Sequence, residues 1–322
     1  MTHKTQKIIS TILLAIPVVG GFEILIYILN LNQPGIYLQV AGWIFVYLLF
    51  KIVFLFDLHY KQRGSWDRAR ARHESSAASL WRHVKILFTA FWYRVEHLRA
   101  WRYLRQWLYC LLIPSFIFWA TISLFYVKFG QLVQQQTLAV LSSAMLLLYY
   151  WNVKEFFFRK KEVVDSDIFV ATTTVKIYTA VILYAASLSM LRYFCLHPAY
   201  FVIETFCFTF LLLYQAVYQH RLITGRNIAA VLLIALLMSA VALPVYLYWG
   251  LNYFTAAVFM GACYNFLWGI FHYRLDGSLT LKVFVEVFLI SAIVASMVFF
   301  TTNFRARILD GCNFTAITGK TF

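Results

Sequence analysis

The chain has 322 residues, 62% of them hydrophobic and 13% charged, with a mean hydropathy of +0.72. A soluble domain carries roughly 45–50% apolar and about 25% charged residues, and one of this length still needs a polar skin. A disulfide-rich secreted scaffold, a disordered chain and an ordinary cytosolic enzyme are therefore excluded. The 28 Lys and Arg against 13 Asp and Glu leave +15, which in so apolar a chain points to basic loops facing anionic lipid, with no nucleic acid as partner.

A helix needs roughly 20 apolar residues to cross the hydrocarbon core. Nine stretches reach that length: about 8–30, 36–57, 107–128, 137–158, 170–192, 199–219, 227–249, 252–272 and 281–302. Membrane barrels use alternating segments of about ten residues, so the expected fold is all-α, a polytopic membrane protein of about nine transmembrane helices plus one basic amphipathic interfacial helix. Residues 1–57 form a first transmembrane hairpin, 58–106 a basic cytoplasmic loop with the interfacial helix, 107–302 seven further spans and 303–322 a short extracytoplasmic tail.

The first span is too long for a cleavable signal and no small-x-small site closes it. It contains Pro17, Gly20, Gly21 and Glu23. Proline removes a helix hydrogen bond, and interrupted helices with a buried carboxylate recur at transporter sites. A kinked, tightly packed helix is the plainer alternative.

Residues 61–105 hold eleven basic residues against Asp67, Glu74 and Glu96. Leu80, Val84, Leu87, Phe88, Phe91, Val95 and Leu98 recur there at helical spacing, with Arg82, Lys85, Arg99 and Arg102 on the other side. Such a helix lies in the interface, its apolar face in the acyl boundary and these four cations on lipid headgroups. With the N-terminus inside, twenty of the 28 cations fall in inside segments and four outside, so the N-terminus is cytoplasmic in a bacterial-type plasma membrane. Arg305 and Arg307 run against this. A different pairing within 227–272 would bring them inside and give eight or ten spans.

The later spans carry a second polar set. Counting along each span from its end puts Glu23, Arg192, His197 and Glu204 in one outer layer. Intramembrane charges pair or mark pathways, so these four are the substrate- or ion-binding candidates, with a structural Arg192–Glu204 pair as the bland alternative. The inner layer holds Lys51, Asp57, Lys154, Glu155, Lys176, Lys282 and Glu286, most of them lysines that can snorkel to headgroups. Lys282 and Glu286 stand four apart and can pair. Thr172, Thr173, Thr174 and Thr179 are expected to bond back to helix carbonyls.

Aromatic residues, a histidine and a cation recur at span ends, at 56–61, 218–221 and 271–274. His59, His220 and His272 there read as interfacial side chains and not as a metal site. Asn313-Phe314-Thr315 is a bare glycosylation triplet. The five cysteines form no C-x-x-C pair, and no nucleophile elbow, zinc-protease helix or phosphate loop occurs. No catalytic residue, metal or cofactor is therefore assigned. Lys282 lies at the end of its span, which speaks against a retinal Schiff base. Three classes remain: a transporter or lipid-handling permease; a non-catalytic membrane-complex subunit or scaffold, with partner membrane subunits docking on the basic segment; and a membrane-embedded enzyme acting on a lipid-linked substrate through Glu23, His197 and Glu204.

Overall fold

The structure, a computed structural model, describes residues 3–31, 33–60, 89, 101–127, 132–158, 166–219, 222–250 and 252–304. Among them lie nine helices: α1 (His3–Asn30), α2 (Pro34–Tyr60), α3 (Trp101–Tyr126), α4 (Leu132–Phe158), α5 (Ser166–Tyr193), α6 (Pro198–Gln219), α7 (Gly225–Tyr248), α8 (Tyr253–Leu275) and α9 (Leu281–Thr301). Each overlays one expected stretch. Seven of them (α2 and α4–α9) are long and apolar enough to cross a bilayer, while α1 and α3 offer the shorter apolar stretches Leu14–Asn30 and Leu111–Tyr126. The chain is thus an all-helical, membrane-integral, multi-pass protein. The expected interfacial helix, with Arg82, Lys85 and Arg99, lies outside the described residues; Arg102 falls in α3, but its side chain lies outside them.

The helix ends follow local chemistry. Pro34 and Pro198 occupy first-turn positions, where a missing N–H costs nothing. Thr224, Asn252 and Thr280 cap α7, α8 and α9 through their side-chain oxygens. Helix α8 stops at Gly277, whose φ of +69° sets the left-handed turn while the Ser278 N–H reaches back to the Tyr273 carbonyl at 3.0 Å. The α5–α6 turn uses the same device with a different residue. The Leu196 N–H reaches the Leu191 carbonyl at 2.9 Å, and Cys195 takes the left-handed position at φ 50°. A non-glycine there costs roughly 1–2 kcal/mol, so the side chain at 195 has a reason to be kept: Cys195 is disulfide-bonded. Cys207 and Cys263 are free.

The chain divides into two compact units, residues 1–115 with 143–172, and residues 116–142 with 173–322. In the first, α1 packs on α2. Leu14, Val18, Phe22, Leu25 and Leu29 of α1 are buried, as are Tyr37, Ala41 and Leu48 of α2. Helix α1 runs unbroken through Pro17, so the interruption expected at Pro17-Gly20-Gly21 does not form. Gly21 instead allows close approach of α2, because a Cβ there would lie 3.1 Å from Ile44.

In the second unit α5 is the central helix. Residues 182–189 are buried on every side, the mark of a helix surrounded by others. Its neighbours approach through small residues and hydroxyls. Ser142 of α4 bonds both Thr121 of α3 and Tyr178 of α5, each at 2.7 Å. Helix α6 lies along α7, where the Ser239 hydroxyl donates to the Val202 carbonyl at 3.3 Å and the Tyr246 hydroxyl to the Leu196 carbonyl at 3.0 Å. Helix α8 meets α5 at Gly261 and Val181, and meets α9 at Gly269 and Val287. Asn265 adds a bond to Ser291 at 3.2 Å. Ser291 is the one buried residue of α9, which makes α9 the outer helix of this unit.

Candidate functional site

The side chains that join α5, α6 and α8 include a run of polar groups. Beginning near the α5–α6 turn, the Ser187 hydroxyl of α5 bonds the Glu204 carboxyl of α6. One turn further, the Tyr184 and Thr209 hydroxyls pair at 3.0 Å, both buried. Tyr264 of α8 lies close enough to Tyr184 to interact electrostatically. Its hydroxyl and that of Thr205 are buried without a hydrogen-bond partner among the described residues.

Two more turns along α5 comes Lys176. It is 1% exposed, and its Nζ stands 4.9 Å from the centre of the Trp268 ring on α8. The quadrupole of an indole face attracts a cation, most strongly where water is excluded. Trp268 in turn lies against the His272 ring at a centroid distance of 5.3 Å, and His272 Nε2 meets the Asp276 carboxylate at 2.9 Å where α8 ends. From Ser187 to Lys176 is eleven residue steps along α5, and from Trp268 to Asp276 eight along α8 and its cap. At 1.5 Å per residue that is about 28 Å, close to the hydrocarbon thickness of roughly 30 Å.

The sequence reads Lys176 as a snorkelling lysine, and burial corrects this: the stem and the ammonium are both inside the unit. The signal was present in the helical spacing. Lys176 and Thr179 share one face of α5, while Trp268 and His272 lie one turn apart on α8. Lys51, by contrast, lies half-buried over the Tyr47 ring at 6.0 Å.

The four outer-layer candidates are placed as follows. Glu23 is exposed on α1, in the first unit. Arg192, His197 and Glu204 lie at or near the α5–α6 turn, in the second. The Arg192 guanidinium acts on the Tyr253 hydroxyl at the start of α8. The exposed His197 accepts the Ala199 N–H on Nδ1 at 3.2 Å. Glu204, half-buried, has Ser187 as its partner. Lys282 and Glu286 are both exposed on α9, without an ion pair between them. Of the span-end histidines, the side chains of His59 and His220 lie outside those described. No cluster of metal-ligating side chains occurs among the described residues.

No known protein family, no characterised protein and no solved structure matches the chain.

Proposed function

We propose that the protein is a permease and that the polar run through α5, α6 and α8 is its route. Lys176 carries this reading. An ionisable side chain enclosed at membrane depth is expensive and most often marks a substrate or ion pathway. Hydroxyl pairs such as Tyr184–Thr209 serve equally as interhelical glue, but glue needs no lysine. The unpartnered hydroxyls of Tyr264 and Thr205 are the groups a passing solute or water engages. Lys176 favours cargo with negative charge.

The orientation follows from charge and from Cys195. The basic connections belong on the cytoplasmic side, which sends the α5–α6 turn outward with the N-terminus inside. A disulfide at that turn fits an oxidising exterior. With Cys110, Cys207 and Cys263 replaced by alanine, Cys195 should therefore resist a maleimide polymer under non-reducing conditions and become reactive after reduction, read as a gel shift on protein from intact cells. Full modification without reductant would place the turn in a reducing compartment and reverse the map.

Accessibility of the run tests the permease reading without knowledge of the cargo. In a background with Cys110, Cys207 and Cys263 replaced by alanine, Thr209→Cys should react with a membrane-impermeant thiosulfonate. Leu233→Cys, on the exposed apolar side of α7, should not. Protection of Thr209→Cys from reagent on both sides of the membrane would make the run structural glue.

A further inference from the structure

We infer that a single hydrocarbon chain of a membrane lipid occupies the groove between α7, α8 and α9. This goes beyond the permease reading and stands without it, because the groove and the polar run lie on different faces of α8. The groove has a volume of about 660 Å³. Leu237, Val241 and Pro244 of α7 form one wall, Phe266 and Leu267 of α8 another, and Phe299 of α9 the third.

The groove exists because α7 and α8 take different partners. Helix α7 packs along α6, while α8 packs along α9. The short α7–α8 turn joins the two helices beside the groove. The end at that turn is built and closed. The Trp249 indole N–H donates to Thr255 at 3.0 Å, and Thr302 joins Thr255 at 3.2 Å. The Trp249 ring meets Phe259 at 4.8 Å and Phe304 at 5.4 Å. Gly250 lies so tightly on the backbone of Asn303 that a Cβ has no room. Residues 302–304 thereby form the end wall.

Size and chemistry select the occupant. At roughly 30 Å³ per water-sized group, the space takes about twenty chain carbons, one acyl or isoprenoid tail. A helix of about 10–12 Å diameter fills roughly 500 Å³ in each turn, so a partner helix would enter by little more than one turn. The walls are hydrocarbon and aromatic rings, and the groove lies along the apolar length of three spanning helices. A headgroup or soluble ligand finds no set of polar partners there. A chain in the groove gains no hydrophobic free energy over the bilayer, since lipid tails are as apolar as leucine. Its preference comes from packing, so occupancy is selective yet exchangeable.

The test uses the full chain in nanodiscs doped with a phospholipid bearing a diazirine in its acyl chain. Crosslinks are mapped by mass spectrometry on Leu237, Val241 and Leu267 and on the exposed α9 positions Leu289 and Ile293. Labelling in the groove should saturate with probe, exceed that on α9 by about threefold or more given a packing-driven preference, and yield to unlabelled lipid of the same chain length. Ala240→Phe and Val241→Trp each fill the groove from a helix surface, so at least one should remove the saturable labelling while helicity and melting hold. Uniform, non-saturating labelling overturns the inference. So does saturable labelling that survives both filled variants, or a groove shielded by a second copy of the chain, seen as crosslinks between copies.

Discussion

Replacing Trp268 with leucine should lower stability by about 3 kcal/mol or more, the range for loss of a large buried aromatic. Two losses combine. The indole leaves a hole beside a fully buried position, and Lys176 loses the ring face 4.9 Å from its ammonium. Lys176→Met should be much milder, because methionine keeps most of the stem volume and removes a charge that burial penalises. In the double variant the cost should fall short of the sum by about 2 kcal/mol, the worth of a desolvated cation–π contact. Unfolding of the four proteins in mixed micelles gives the cycle. Strict additivity would mean that the lysine and the ring are neighbours without an interaction.

Gly261→Ala should cost roughly 1–3 kcal/mol, as overpacking of a filled interface does. The new Cβ would overlap the Val181 side chain. Valine on a helix is held in one rotamer and cannot swing aside, so α5 and α8 must separate along the line that also carries Lys176 and Trp268. Val181→Ala makes room on the opposite helix and should return at least half of the loss, read as the melting temperature in detergent. An unshifted melting temperature for Gly261→Ala alone would show that the two helices slide past each other freely.

The positions of the helices were legible in the sequence because a bilayer imposes one length on every span. The stretches 199–219, 227–249 and 281–302 differ from α6, α7 and α9 by two residues or fewer at each end. The surroundings of individual polar residues were not legible, since depth along a span says nothing about which face meets a neighbour. Lys176 and Lys51 look alike by depth, yet one is enclosed and the other half-buried. The threonines of α5 divide in the same way. Thr179 bonds back to the Val175 carbonyl at 2.6 Å as expected, whereas the buried Thr173 hydroxyl finds no partner among the described residues. Glu23 shared a calculated depth with Glu204, but depth alone cannot place α1 beside α6.

The enclosure of α5 bears on how the protein enters its membrane. A segment leaving the ribosome partitions into lipid by its own apolarity, and a lysine within the span opposes this, by at most about 2.5–3.5 kcal/mol, the value at the helix centre on insertion scales. Helix α5 has that lysine and a mean hydropathy of 1.5 over its span, against 2.7 for α7 and 2.5 for α9. Its eight consecutive enclosed residues find their final surroundings only after α6 and α8 have been synthesised. The most central helix is therefore one of the poorest at inserting by itself, and its retention during biogenesis depends on segments that follow it in the chain.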